Sequence, residues 1–176
     1  MTMTTTPLHR FCPEHPCLSL KKRMRVIDDE PSLPFVMTHS HQSCTSGELI
    51  DLVDRALLHP SGQSLIIAAI ASNSASTGLP WCSDCVQAKA AIDRILQLAQ
   101  QPDGQLAAST AICALSREEW KSEHGQSNHP LRLHSQLMVG GIPFVARVVD
   151  GIIIGRATEE ECFSVEDLLK RLKMDQ

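Results

Sequence analysis

The chain has 176 residues, 43% of them hydrophobic and 20% charged, with a net charge of −4. That length suits one compact domain with an appended segment, and the composition excludes wholesale disorder or a fibre. The negative balance argues against broad nucleic-acid binding, and no apolar run nears the ~20 residues of a membrane-spanning helix.

The first 45 residues hold five of the ten prolines and five bases against four acids; the remainder carries eleven bases against sixteen acids. Apolar content is thin at the start, so residues 1–32 read as a flexible extension and 33–176 as the folded domain. A chain starting near Pro31 is expected to keep the chemistry. Residues 33–37 are a candidate short first strand. From Ser46 the apolar positions Leu49, Ile50, Leu52, Val53, Ala56 and Leu57 recur at helical spacing and stop near Pro60. Residues 65–71 form an uninterrupted apolar run, the mark of a buried strand. A Ser/Asn/Thr/Gly loop follows over 72–80.

Residues 82–100 read as a helix with Val86, Ala90, Ile92, Ile95, Leu96 and Ala99 on its buried face. Pro102-Asp103-Gly104 is a turn, and 106–115 includes a second strand. After Trp120 and a polar loop, 128–137 reads as a short helix. Apolar runs at 144–149 and 152–154 flank Asp150-Gly151, a hairpin signal. Ser164 caps a last helix reaching Lys173, with Glu166 and Asp167 at its positive end. Strands alternating with helices predict an α/β fold, a central mixed sheet with helices on both faces.

The chemistry concentrates in Trp81-Cys82-Ser83-Asp84-Cys85, between the loop and the long helix. A cysteine at the N-cap faces unpaired N–H groups and the positive helix end, so the Cys82 thiol is expected to titrate below the free value of ~8.5. Cys85 lies one turn along the same face. Two such sulfurs can close and reopen a disulfide with little backbone motion. Two other readings stay open. A zinc knuckle needs a second ligand pair, and Cys113 and Cys162 are isolated. Two incidental thiols at a helix start are the other. Gly140-Gly141-Ile142-Pro143-Phe144 stands before a strand about sixty residues later; read from residues alone, Pro143 is a trans proline opening that strand.

Strand, WCxxC, helix, then Ile-Pro before a hairpin and a terminal helix together resemble the thioredoxin fold. The Trp-Cys-x-Asp-Cys form is narrower and resembles the thioredoxin-related family of thioredoxin domain-containing protein 17. The long loop over 72–80, Trp120-Lys121, and Glu160-Glu161-Cys162 agree, and the likeness runs over roughly 35–173. It implies Cys82 as nucleophile, Cys85 as resolving thiol, and Trp81 as a wall beside them. It implies a cis Pro143, with the Ile142 backbone pairing to an extended substrate. The implied activity is reduction of disulfides in proteins or cystine-like small molecules, with thioredoxin reductase as electron donor and no cofactor or metal on the domain. The alternative is a non-catalytic binding module or redox sensor on the same fold. The protein is expected to be monomeric, with no nucleic-acid or membrane partner.

One departure matters: the family usually has proline where Ser83 stands. Serine adds an N–H and a hydroxyl beside the thiol. Residues 65–71 offer no buried acid to serve Cys85, which leaves Asp84 as the nearest titratable group tuning the dithiol.

Weaker signals remain. His9, Cys12, His15 and Cys17, and separately His39, His41 and Cys44, are candidate zinc ligands with non-standard spacing. Seven cysteines without a secretory signal suggest free thiols in the cytoplasm. The basic residues 21–25, after a Thr-rich start, are the alternative: a transit peptide to a mitochondrion or plastid. Cys113 and Cys162 read as packing residues, with Glu159, Glu160 and Glu161 expected to raise the Cys162 thiol.

Overall fold

The computed structural model describes residues 41–101 and 107–174. The 1–32 extension, the candidate strand at 33–37, the turn at 102–104 and the first histidine–cysteine cluster all lie outside those residues.

The described elements run β1 (His41–Cys44), α1 (Ser46–Leu58), β2 (Ser64–Ala71), α2 (Ser83–Ala99), β3 (Ser109–Leu115), α3 (Arg117–Lys121), α4 (Glu123–Asn128), α5 (Pro130–Leu133), β4 (Phe144–Val149), β5 (Ile152–Thr158), a 3-10 turn (Glu159–Cys162) and α6 (Val165–Arg171). The strands form one sheet in the order β1-β3-β2-β4-β5. β1 and β2 both lie parallel to β3, whereas β4 is antiparallel to β2 and to β5. The mixed sheet expected from the alternating pattern is present.

Strand parity builds a core on each face. Leu65, Ile67 and Ala69 of β2 point to one side, where they meet Leu49, Leu52 and Val53 of α1 and Leu131 of α5. Ile66 and Ala68 point to the other, against Ala88, Ile92 and Ile95 of α2 and Leu168 of α6. β2 is therefore buried on both faces, which is why its sequence is apolar from Leu65 to Ala71.

Helix starts follow their capping chemistry. Thr45 and Glu48 form a reciprocal capping box at α1, and Ser164 caps α6 through the Asp167 N–H. Asp150 and Gly151 both have positive φ, 49° and 77°, which two-residue hairpin turns of type I′ require.

Three expectations need correction. The polar stretch after β3 is helical: Ser116 and Ser122 each cap a short helix through the N–H three residues on, and the single helix expected over 128–137 shrinks to α5. Val86 and Ala90 are exposed, because Cys85 sets the phase of α2 and the buried line runs Cys85, Ala88, Ala91, Ile92, Ile95, Leu96, Ala99. β1 is a strand the pattern gave no sign of. His41, Gln42 and Ser43 are exposed, so backbone pairing to β3 at the edge of the described sheet, with Cys44 packed on the core, makes it one.

Among the described residues no helix is long and apolar enough to cross a membrane, and no group of three or more His, Cys, Asp or Glu is placed to hold a metal ion. The His41 ring instead hydrogen-bonds the Thr110 hydroxyl at 3.0 Å.

Candidate active site

The site forms where β2 and β3 end. Beyond β2 the chain folds back on itself: the Ser74 N–H reaches the Leu79 carbonyl at 2.8 Å, and the Trp81 N–H donates to the Ser72 carbonyl at 3.2 Å. The loop is thus closed at its base, and Trp81 is returned to the sheet edge. Its indole Nε1–H donates to the Leu115 carbonyl, the last residue of β3, at 2.8 Å. The same carbonyl accepts from the Ser72 N–H at 2.8 Å. One β3 oxygen thereby anchors both ends of the loop.

Cys82 follows as the N-cap of α2, with extended backbone (φ −97°, ψ 126°). No side-chain hydrogen bond caps this helix, so its first N–H groups are left facing the cysteine end. The Cys82 thiol is half-buried and donates to the Ile142 carbonyl at 3.6 Å. Ser83 is exposed at the first helical position and its hydroxyl approaches Asp84 Oδ1 at 3.4 Å. Asp84 is half-buried.

Cys85 differs from Cys82 in exposure and in hydrogen-bond partner. It is only 2% exposed, and its sulfur accepts the Ala71 N–H at 3.2 Å. Burial pushes its thiol up to about 12; the Ala71 N–H pulls the other way, and the nearby Cys82 and Asp84 add to the rise. All five cysteines among the described residues are free in this structure.

The opposite wall is the segment before β4. The Ile142–Pro143 bond is cis, which the residues alone did not foretell and the resemblance did. The Ile142 carbonyl, on the same segment, is the group that accepts from the Cys82 thiol. The sequence-derived set Trp81, Cys82, Ser83, Asp84, Cys85, Ile142 and Pro143 therefore meets in one place.

Two nearby residues were given no part in the site by the sequence reading. Arg132 Nη1 donates to the Gly140 carbonyl at 2.6 Å, and the Arg132 Cζ lies 3.9 Å from the centre of the Trp120 ring. Glu159 has φ 47°, uncommon for a non-glycine residue. Its N–H donates to the Pro143 carbonyl at 2.8 Å, and its carboxylate packs on Gly141, where a methyl group would collide with it. No spacing rule signals either, because each acts on a backbone carbonyl, a group every residue carries. Cys162 is buried near the Pro143 carbonyl, 3.9 Å away. Its thiol is pushed up to about 12, but burial is the main cause and Glu161 the lesser one, a correction to the acidic-run explanation.

The thioredoxin domain of thioredoxin domain-containing protein 17-like proteins matches residues 50–174. Among curated proteins, none matches the chain. Similar solved structures include thioredoxin O1 from Arabidopsis thaliana in its oxidized state, 17% identical over 75% of this chain and 96% of that one, with a TM-score of 0.45. Mitochondrial thioredoxin 3 from Saccharomyces cerevisiae, oxidized form, is 18% identical over 76% and 93%, at 0.43. Thioredoxin from Schistosoma mansoni is 11% identical over 78% and 97%, at 0.44. The family match takes in every residue of the site just described, from Trp81 to Pro143, and on it the chain belongs to the thioredoxin domain-containing protein 17-like family, a thioredoxin-fold domain of the thiol–disulfide exchange class.

Proposed function

We propose that this protein is a disulfide reductase in which Cys82 attacks and Cys85 resolves. The observation that carries the reading is the asymmetry of the two sulfurs: one half-buried at a helix N-cap, the other enclosed beneath it and held by the Ala71 N–H. The Cys82 thiolate attacks one sulfur of a substrate disulfide; the substrate S–S bond breaks, a mixed disulfide forms, and one substrate thiol leaves. Cys85 then gives up its proton and attacks the Cys82 sulfur, releasing the second thiol and leaving a Cys82–Cys85 disulfide. Substrate receives two electrons, and a thioredoxin reductase is the proposed donor that restores the dithiol.

The Ile142 backbone is the proposed pairing edge for an extended substrate segment, in the manner of an added strand. Proteins with accessible disulfides and cystine-like small molecules are the proposed substrate classes. The test is NADPH oxidation by the full chain with thioredoxin reductase, once with cystine and once with a protein disulfide. Turnover lost on replacing either cysteine supports the reading. No turnover with either substrate, or with dithiothreitol in place of the reductase, leaves a binding module.

A further inference from the structure

Outside the active site a second pair of thiols stands face to face. β1 and β3 run parallel with Cys44 directly opposite Cys113. Neighbouring strands lie ~4.8 Å apart, inside the window of about 4.4–6.8 Å that Cα atoms of a disulfide span. Both side chains point to the same face: Cys113 belongs to the core under α1, and Cys44 packs against that core. The Cys44 thiol leans across to β3, donating to the Ile112 carbonyl at 3.5 Å.

We propose that Cys44 and Cys113 form a second, reversible disulfide, distinct from the Cys82–Cys85 pair, when the protein meets a peroxide. The two thiols are unequal in access. Cys44 is half-buried on an edge strand, whereas Cys113 is 1% exposed. Peroxide therefore reaches Cys44. Its thiolate attacks one peroxide oxygen, an S–O bond forms, the O–O bond breaks, and the second oxygen leaves as water, giving a sulfenic acid. The Cys113 sulfur then attacks the Cys44 sulfur; the S–S bond forms, the S–O bond breaks, and a second water leaves. Two thiols have lost two electrons and two protons to one hydrogen peroxide, and nothing further is required.

Burial and the Glu48 carboxylate both raise the Cys44 thiol, which slows its reaction with peroxide. Its place in the fold gives the bond reach: two residues beyond Cys113, the Leu115 carbonyl holds the Trp81 indole.

The experiment is peptide mapping of the full wild-type chain. Trypsin cleavage after Arg25, Arg55, Arg94 and Arg117 yields residues 26–55 and 95–117, which carry Cys44 and Cys113 as their single cysteines. The protein is treated with hydrogen peroxide until Cys82–Cys85 is fully oxidised and beyond, blocked with N-ethylmaleimide, digested and weighed. The expected product is a 26–55/95–117 conjugate that accounts for most of Cys44 and vanishes with dithiothreitol. Cross-linking of the Cys82→Ser, Cys85→Ser double variant is expected to raise its melting temperature by several degrees, since the bond closes a long loop. Cys44 recovered as a maleimide adduct, as a sulfinic acid, or joined to another cysteine would overturn the proposal, as would a cross-linked double variant that melts no higher than the reduced one.

Discussion

The sulfur of Cys85 accepts a hydrogen bond from the Ala71 N–H at 3.2 Å. Ala71 ends β2, and Cys85 lies in the first turn of α2, so one contact closes the strand–loop–helix unit and hides the second thiol. Burial is what makes the two cysteines of one motif unequal; the Ala71 N–H only moderates the rise at Cys85.

That inequality predicts the roles of the pair. Cys82→Ser is expected to lower reductase turnover at least ~100-fold, because the nucleophile itself is gone. Cys85→Ser is expected to accumulate mixed disulfides through Cys82, seen as a mass increase that dithiothreitol removes. Mixed disulfides on the Cys82→Ser protein and none on the Cys85→Ser protein would reverse the assignment.

Trp81 is a joint between loop and sheet as well as a wall. Replacing it with Phe keeps the flat ring and removes the Nε1–H donated to Leu115. The loss of that hydrogen bond is expected to cost about 1 kcal/mol, read as a lower urea midpoint. Turnover is expected to fall several-fold, since the Cys82 end of α2 is less firmly held. A variant equal to wild type in both measurements would show that the Ser72 N–H alone suffices at the Leu115 carbonyl.

Stability is expected to decline at alkaline pH for a specific reason. Cys85, Cys113 and Cys162 are each pushed up to about 12, chiefly by burial. An unfolded thiol titrates near ~8.5. Below that, both states hold the proton and the contribution is fully present. Between about 8.5 and 12 the unfolded chain releases protons that the folded chain keeps, so stability falls as pH rises, by up to ~1.4 kcal/mol per thiol per pH unit. Urea midpoints under reducing conditions at rising pH measure the slope, and Cys162→Ala is expected to flatten it. An identical slope in that variant would mean that Cys162 does not hold its proton in the fold.

Gly155 sits in β5 where the end of α6 crosses it. A methyl there would overlap the Arg171 carbonyl and come within 2.7 Å of Leu172 Cα, both backbone. Gly155→Ala is expected to destabilise by about 2–3 kcal/mol. Gly47, near the start of α1, has nothing within 4 Å of the same position, so Gly47→Ala is expected to stabilise by ~0.5–1 kcal/mol. Thermal unfolding of the two variants is the comparison, and equal melting temperatures would contradict it.

Elements whose signals are local are legible in the chain before it folds. The unbroken apolar run of β2, the Asp150-Gly151 turn, the Ser164 cap and Cys82 before an amphipathic helix each depend on neighbours a few residues away, and their chemistry is legible in one dimension. The WCSDC motif is local in the same sense, which is why the thiol pair was found. Tertiary structure decided what depends on distant partners. β1 carries exposed polar residues and is a strand only because β3 offers it a free edge. In α2 the Cys85 sulfur turns inward to accept from the Ala71 N–H, and Val86 faces outward. Arg132 and Glu159 reach the active-site wall through the carbonyls of Gly140 and Pro143, groups every residue has and no side-chain pattern records. Cys44 and Cys113 stand 69 positions apart in sequence and become neighbours only when two parallel strands align, since register is a property of the sheet and not of either strand.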